Sequence, residues 1–423
     1  MRPFFHRCVY NIYNTLVFLF FPIVLIAVLL RWRKRVAKGL QHWSERRGYL
    51  SDAQNSLFAM GHRWWWIHAV SLGEVKAIER FLRTAPSHAG VKVLLSVVTP
   101  EALAYAQEAH LVDQVIAAPV DLPWMVRRVF HVVRPEWFLS VESEFWPNLL
   151  REASRSGAHV GIINGRISQR SFRRYRWIRW LLGALWENLH FIAVREEQDA
   201  QRFEMLGLSR ERIHVVGHMK YDVPVEASPL MLSSAPLLVF GSTREGEELL
   251  LLPIMTALRS SFPHLRIICA PRHKERTADV ESRFMAANLP VRKRSATLTQ
   301  PITAGELVLW DTFGDLMEAY RQSDIAVIGG SFVHKGGQNP IEPASLGKPV
   351  VFGLSMENFK DIAETLLAGQ GAMQVPLEKL EETLRDLLND LTRRRTMGDN
   401  ARAVVEKARG ATERTLDLLE HPL

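Results

Sequence analysis

The chain of 423 residues has only two cysteines, Cys8 and Cys269. The first lies in an apolar segment and the second inside the run "RIICA", so neither a disulfide framework nor a cysteine-rich zinc site can be built, and a reducing compartment is expected. The fifteen histidines are scattered, with no HExxH or other tight ligand spacing. No metal and no cofactor are therefore expected. The sequence also lacks low-complexity tracts, fixed-period repeats and a small-residue cleavage site after its first apolar run, which argues against repeat architectures and a removed signal peptide.

What is present is globular. Hydrophobic residues at 47% and charged residues at 23% supply ample material for sizeable cores. The length exceeds one ordinary core, so two domains plus an appendage are expected. The net charge of +8 suits nucleic acid, an anionic membrane or phosphorylated substrates, and its distribution decides among them. Val9 to Leu30 is almost entirely apolar, with "TLVFLFFPIVLIAVLL" at its centre, and "RWRKR" comes directly after it. A span needs about 20 such residues, and the basic cluster keeps the remainder of the chain cytoplasmic, so residues 1–32 are predicted to be a membrane anchor. Asn11, Asn14 and Pro22 keep open a helix lying in the interface.

Beyond the basic stretch, short apolar runs alternate with amphipathic ones. "WWWIHAV", "VKVLLSVV", "EWFLSV", "HVGIIN" and "RIHVVG" read as strands in the first half, and "PLLVFG", "LRIICA", "ELVLW", "IAVIGG" and "KPVVFG" in the second. Buried strands separated by helices imply parallel sheets covered on both faces. The segment 224–236, "PVEASPLMLSSAP", breaks the pattern and reads as a linker. The fold class predicted is α/β, with two Rossmann-like domains, 33–223 and 237–423, facing a cleft and carrying ligands at the carboxyl ends of their strands.

Several motifs fall at such strand ends. In "GGSFVHKGGQNPIEPASLG", Asn339 and Pro340 read as the N-cap and first residue of a helix whose N–H groups suit a phosphate, with Glu342 placed for ribose hydroxyls. Plain capping is the competing reading. "GSTREGEELL" offers Gly241, Ser242 and Thr243 to a phosphate or, equally, to a helix cap. "APRHKER" presents Pro271 and Arg272, and "DTFGDL" supplies a turn. In the first half, Ser71 stands three residues before Glu74, a capping box that also fixes a carboxylate where a general base for a hydroxyl nucleophile is required. Glu142 and Glu144 lie two apart and point to opposite faces if extended, so one alone enters the cleft. Lys220 in "GHMKYD" is a candidate to offset charge on a leaving phosphate. Residues 166–186, "RISQRSFRRYRWIRWLLGALW", carry six arginines and no acid. No nucleic-acid motif accompanies them, and the stretch reads as a surface leaning on anionic headgroups, with a merely solvated basic helix as the alternative.

Taken in order, "SLGE", "ESEFWPNLL", "NGRISQRS", "GHMKYD", "GSTREGEE", "PRHKER", "DTFGDL" and "GGSFVHKGGQNPIEPAS" resemble the 3-deoxy-D-manno-octulosonic acid (Kdo) transferases of lipopolysaccharide synthesis. The resemblance runs from the anchor to about residue 365, and eight ordered motifs make it specific. It implies a GT-B glycosyltransferase on the cytoplasmic face of the inner membrane that moves Kdo from CMP-Kdo to a lipid A precursor. By this resemblance Glu74 matches the catalytic base, and Glu142 and Lys220 match residues that stabilise the transition state. Pro271 and Arg272, Phe313, Gly314 and Asp315, and Asn339, Pro340, Ile341 and Glu342 match the CMP-contacting segments. Arg244 and Gln338 stand where histidine is usual, and Lys274 where proline is usual. The rival readings are a lipid-directed GT-B enzyme using another nucleotide sugar, and a membrane-anchored protein of this fold that only binds lipid.

Overall fold

A computed structural model describes residues 9–19, 42–223, 235–296, 300–312 and 314–420. The chain forms two compact units, Met1–Asp222 with Arg409–Leu423, and Val223–Ala408.

The first unit is built on a seven-stranded sheet: β1 (Trp64–Ala69), β2 (Lys92–Val97), β3 (Gln114–Ala117), β4 (Trp137–Val141), β5 (His159–Gly165), β6 (Phe191–Val194) and β7 (Ile213–Val215). All neighbours pair in parallel, in the order β3-β2-β1-β4-β5-β6-β7. β1 shows why: all six of its residues are buried. Alternate side chains leave a strand on opposite faces. Trp64 and Trp66 accordingly enter one core, with Phe130 and Phe138, while Trp65 and Ile67 enter the other, with Phe81 and Leu82. A strand apolar on both faces needs helices on both, and the connecting helices supply them.

The second unit repeats the plan with β8 (Leu237–Thr243), β9 (Arg266–Pro271), β10 (Arg292–Lys293), β11 (Leu307–Leu309), β12 (Ile325–Ile328), β13 (Val350–Phe352) and β14 (Ala372–Gln374). Its order is β10-β11-β9-β8-β12-β13-β14, again parallel throughout. In both sheets the winding reverses beside the first strand, between β1 and β4 and between β8 and β12. Loops leaving the two strands at such a point diverge and open a crevice.

One boundary differs from the sequence expectation, and another falls outside the described residues. Residues 409–423, assigned there to the second domain, belong to the first unit. Asp222 accepts hydrogen bonds from the N–H groups of Gly410 (2.7 Å) and Thr412 (2.6 Å), and Leu416 and Leu419 of the helix Ala411–Glu420 join the core around Phe81. The segment 224–234 of the expected linker lies outside the described residues.

The predicted anchor falls only partly within the described chain. Residues 9–19 are helical, and their polar edge faces the first unit: Tyr10 donates to the Ala184 carbonyl (3.3 Å), Tyr13 to Asp121 Oδ2 (2.8 Å), and Asn14 Oδ1 accepts from Asn148 (2.7 Å). Asn14, out of place in a lipid-embedded helix, is thereby satisfied by protein. Residues 20–32 lie outside the described chain, and among the described residues no helix is long and apolar enough to cross a membrane.

Candidate active site

The first unit gathers its chemistry at the β1/β4 switch point. Ser71 ends the strand extension and caps the helix Leu72–Ala77, its Oγ accepting from Glu74 N (3.4 Å). Glu74 returns the bond: Oε1 accepts from Ser71 Oγ (2.9 Å) and Oε2 from Val70 N (2.7 Å). The serine half of the capping box is therefore present, while the Glu74 carboxylate reaches one residue further back, to Val70 N, instead of Ser71 N. Burial pushes that carboxyl up from an ordinary 4.5 to about 7; the bonds from Val70 and Ser71 oppose the shift, while the charges of Glu144 and Glu142 add to it. A carboxylate titrating near neutrality is a better proton acceptor than a solvated one.

Glu142 and Glu144 do not obey the extended-chain expectation. Glu142 comes directly after β4 at φ +60°, a left-handed conformation unusual outside glycine, and the chain turns there. Both carboxylates therefore contribute to the field at Glu74, instead of one facing away. Glu144 Oε2 accepts from Trp146 Nε1 (2.8 Å), and burial raises its carboxyl as well.

Sequence reasoning missed the group that organises this end of the sheet. Arg195, directly after β6, is buried and pairs through Nη2 with Glu142. Its Nε donates to Asn164 Oδ1 (3.1 Å), and the same oxygen accepts from Met219 N (3.4 Å). Asn164, the last residue but one of β5, holds φ +53° and is fully buried. The line Glu142, Arg195, Asn164, Met219 thus runs across the ends of β4, β5 and β6 to the turn Met219–Tyr221 that carries Lys220. His218 Nδ1 accepts from Lys220 N (3.2 Å) and fixes that turn, which packs against the helix of Glu74. The only hint in the sequence was a basic residue immediately after the apolar run "FIAV".

In the second unit the strand ends β8, β9 and β12 converge. Gly241 is obligatory, since a Cβ there would lie 1.9 Å from the Tyr320 hydroxyl, and at Gly329 one would lie 2.5 Å from the Ser242 carbonyl. Ser242 holds φ +58°. Thr243, expected as a phosphate donor, instead gives its Oγ1–H to Glu248 (2.8 Å), which Arg276 clamps at 3.0 and 2.8 Å. Glu247 is fully buried and accepts from Arg244 N (2.9 Å), Gly330 N (2.6 Å) and Phe332 N (3.0 Å), welding the β8 loop to the β12 loop.

The other expected nucleotide contacts lie on the loops of this same unit. Pro271 ends β9, and Arg272 N donates to the Thr243 carbonyl (2.9 Å). Asp315 is engaged by Trp310 Nε1 (3.0 Å) and Thr312 Oγ1 (2.6 Å) at the start of the helix Leu316–Gln322; Gly314 holds φ +89°, and Phe313 lies outside the described residues. The helix after Asn339 is only the five residues Ile341–Ser345, with Pro340 at the N-cap position rather than first inside. Asn339 Oδ1 accepts from Ile341 N (3.1 Å) and its Nδ2 donates to Glu342 (3.2 Å), an Asx-turn leading into the helix. Ile341 is in the core. So short a helix has little dipole to offer, and the expectation of a phosphate at its N-terminus gains no support from its length.

Comparison with known proteins defines the class first. A glycosyltransferase from Rickettsia africae aligns over 85% of this chain and 98% of its own at TM-score 0.56 and 12% identity. MurG of Acinetobacter baumannii aligns over 85% of this chain and 99% of its own at TM-score 0.54 and 13% identity. The fold is thus α/β and GT-B-like, with two parallel seven-stranded Rossmann-like sheets. A family model described as 3-deoxy-D-manno-octulosonic-acid transferase (kdotransferase) matches residues 41–223. The 3-deoxy-D-manno-octulosonic acid transferase of Haemophilus influenzae is 30% identical over 96% of this chain and 97% of its own length, and that of Bordetella pertussis 33% identical over 84% and 86%. The chain belongs to the 3-deoxy-D-manno-octulosonic acid transferase family and is a glycosyltransferase.

Two outcomes test this geometry. With a folded-state pKa near 7 against an ordinary 4.5, Glu74 binds its proton more tightly in the folded protein, so the stability it contributes is full below about pH 4.5 and is lost as pH rises through 7. Glu74→Gln should therefore stabilise the protein at pH 8 by up to about 3 kcal/mol, at 1.36 kcal/mol per unit, and by little at pH 4, read from urea unfolding. Arg195→Met should cost about 3 kcal/mol, the usual penalty for stranding one member of a largely buried ion pair. Adding Glu142→Gln should recover a large part of that loss, and simple additivity of the two changes would show that the pair is not coupled.

Proposed function

We propose that the protein is an inverting enzyme that transfers Kdo from CMP-Kdo to a hydroxyl of the lipid A precursor, with Glu74 as general base. The observation that carries this reading is the Glu74 carboxylate, held by Val70 and Ser71 at a switch point and raised to about 7 by burial and two neighbouring acids. The acceptor hydroxyl gives its proton to Glu74 as its oxygen bonds to the anomeric carbon of Kdo. The bond from that carbon to the phosphate oxygen breaks, and CMP departs with the electron pair. Lys220 and Glu142, tied into one hydrogen-bonded line through Arg195 and Asn164, serve the transition state: Lys220 offsets the charge growing on the leaving group, and Glu142 supports positive character at the sugar.

The test supplies CMP-Kdo and tetraacylated lipid A precursor to the purified full-length protein and reads product mass, which gives donor and number of transfers together. Glu74→Gln should lower kcat by about 10²- to 10⁴-fold while leaving CMP binding intact. Wild-type kcat/KM should rise with pH through about 7, because the base must lose its proton first. Protection by UDP and not CMP would favour a transferase of another nucleotide sugar, and full activity of Glu74→Gln would remove the base.

We also propose that the first unit rests on the cytoplasmic face of the inner membrane. With its polar edge turned to protein, the 9–19 helix leaves Ile12, Leu16, Phe18 and Leu19 exposed. It touches, through Tyr10 and Ala184, the helix Arg179–Trp186, where Trp180 is exposed; Trp177, at 86% exposure, lies just before it. Exposed Arg170, Arg173, Arg174, Arg176 and Arg179 flank the tryptophans. Aromatic and basic side chains on one surface match a lipid interface with anionic headgroups. In vesicle flotation, Trp177→Ser with Trp180→Ser should weaken binding to phosphatidylglycerol-containing vesicles several-fold, and unchanged flotation would exclude these residues from the contact.

A further inference from the structure

In a doubly wound sheet, the anion at the switch point is ordinarily taken by backbone N–H groups of a glycine-rich turn. At the β8/β12 switch point those donors are consumed inside the protein. Glu247 takes the N–H groups of Arg244 (2.9 Å), Gly330 (2.6 Å) and Phe332 (3.0 Å), and Glu248 takes the Thr243 hydroxyl (2.8 Å). With these donors engaged, side chains are favoured to meet a ligand's negative charge at this level.

Arg244 is the side chain in position. It is the first residue after β8, and its Cγ lies against Gly330 of the β12 loop: a Cβ on Gly330 would come within 3.2 Å of Arg244 Cγ and 3.3 Å of Gln338 Nε2. Its Nη1 lies 2.7 Å from His273 Nε2 in the β9 loop, so all three loops meet at this guanidinium. Arginine only donates, so His273 Nε2 must accept, and the ring is neutral with its proton on Nδ1. Burial, together with nearby Arg244 and Arg272, holds His273 below its usual range, in agreement. The Nε of Arg244 is buried without a hydrogen-bond partner, a donor that a ligand would satisfy. Arg276 is spent on Glu248, and the buried carboxylates are spent on backbone and hydroxyl donors, while Arg244 keeps its guanidinium at the meeting of the loops, with the charge of Arg272 close to it. Gln338 adjoins Arg244 here, at Gly330.

We propose that Arg244, oriented by His273, is a donor-recognition residue whose guanidinium takes an anionic group of the nucleotide sugar, either its phosphate or its sugar carboxylate, in place of the usual backbone donors. The assignment deepens the donor reading above and rests on it. A planar guanidinium suits either group bidentately, whereas a lysine at the same place offers a single point charge.

The test measures CMP binding by calorimetry and CMP-Kdo kinetics on full-length wild type, Arg244→Met, Arg244→Lys and His273→Phe, with urea midpoints as the control for folding. Arg244→Met should raise KM for CMP-Kdo by about 10- to 100-fold, the loss of a charge-assisted hydrogen-bonded contact, with a smaller change in kcat. Arg244→Lys should recover part of the loss, and His273→Phe should show a smaller shift of the same kind. CMP affinity falling in parallel places Arg244 on the phosphate. CMP affinity unchanged while KM for CMP-Kdo rises places it on the sugar carboxylate. Wild-type values for both ligands in Arg244→Met would overturn the proposal. Should wild type transfer no Kdo but bind CMP through Arg244, the transfer reading would fail and this assignment would stand.

Discussion

The proposed general base depends on a shortage of hydrogen-bond donors around one half-buried carboxylate. Glu74 has two donors, Val70 N and Ser71 Oγ, and two acidic neighbours. A charge removed from water needs more than that to stay as stable as it was outside, so the proton is held until about neutral pH. Asp121 shows the same balance with other means. Fully buried, it accepts from Tyr13 and from the N–H groups of Asn148 (3.1 Å) and Leu149 (2.8 Å), yet its carboxyl still rises to about 6. Desolvation outweighs three hydrogen bonds there. At Glu74 burial is less complete, but fewer bonds oppose it and two acids add to it, so a comparable rise results, to about 7.

Strain gathers at the same strand ends. Glu142, Asn164 and Ser242 hold left-handed backbone at φ +60°, +53° and +58°, each within one residue of the end of a parallel strand. Such conformations cost of order 1 kcal/mol or more and persist only where their surroundings over-determine them. Here the determinants are visible. Glu142 is bound through its side chain to Arg195 and through its N–H to the Ile163 carbonyl (3.0 Å), and Asn164 is held from two sides by Arg195 and Met219. The strain turns Glu142 and Glu144 toward one region, which the regular alternation of a strand would forbid.

The sequence made the local physics legible and left the return paths hidden. Runs such as "WWWIHAV" and "IAVIGG" announce strands buried on both faces, and Ser71 with Glu74 announces a capping box, because these signals span fewer than ten residues. The pairing of Arg195 with Glu142 joins positions 53 residues apart, and Asp222 grips Thr412 across 190. Nothing in the composition near either partner marks the other. The partner of Thr243, left open between a phosphate and a helix cap, was hidden for a related reason. Glu248 is five residues away, but Arg276, which holds it in place, is 28 further on. Asn11 and Asn14 were the informative exceptions in the apolar segment: Asn14 meets Asn148, a partner 134 residues distant, where lipid would have left its amide unsatisfied.

The two sheets solve a shared topology with opposite electrostatics. At the β1/β4 switch point, Glu74, Glu142 and Glu144 concentrate negative charge, and a single buried arginine sets the geometry. At the β8/β12 switch point, acids are buried and consumed while the Arg244 guanidinium stands where three loops meet, with the charge of Arg272 close to it. A transferase needs this division. The attacking hydroxyl must lose a proton to a base, and a nucleotide leaving group must be met by positive charge; one uniform field would favour one demand and oppose the other. Building each field at the carboxyl ends of its own parallel sheet lets each be tuned by loops alone, with the strands beneath left as cores of tryptophan, valine and isoleucine.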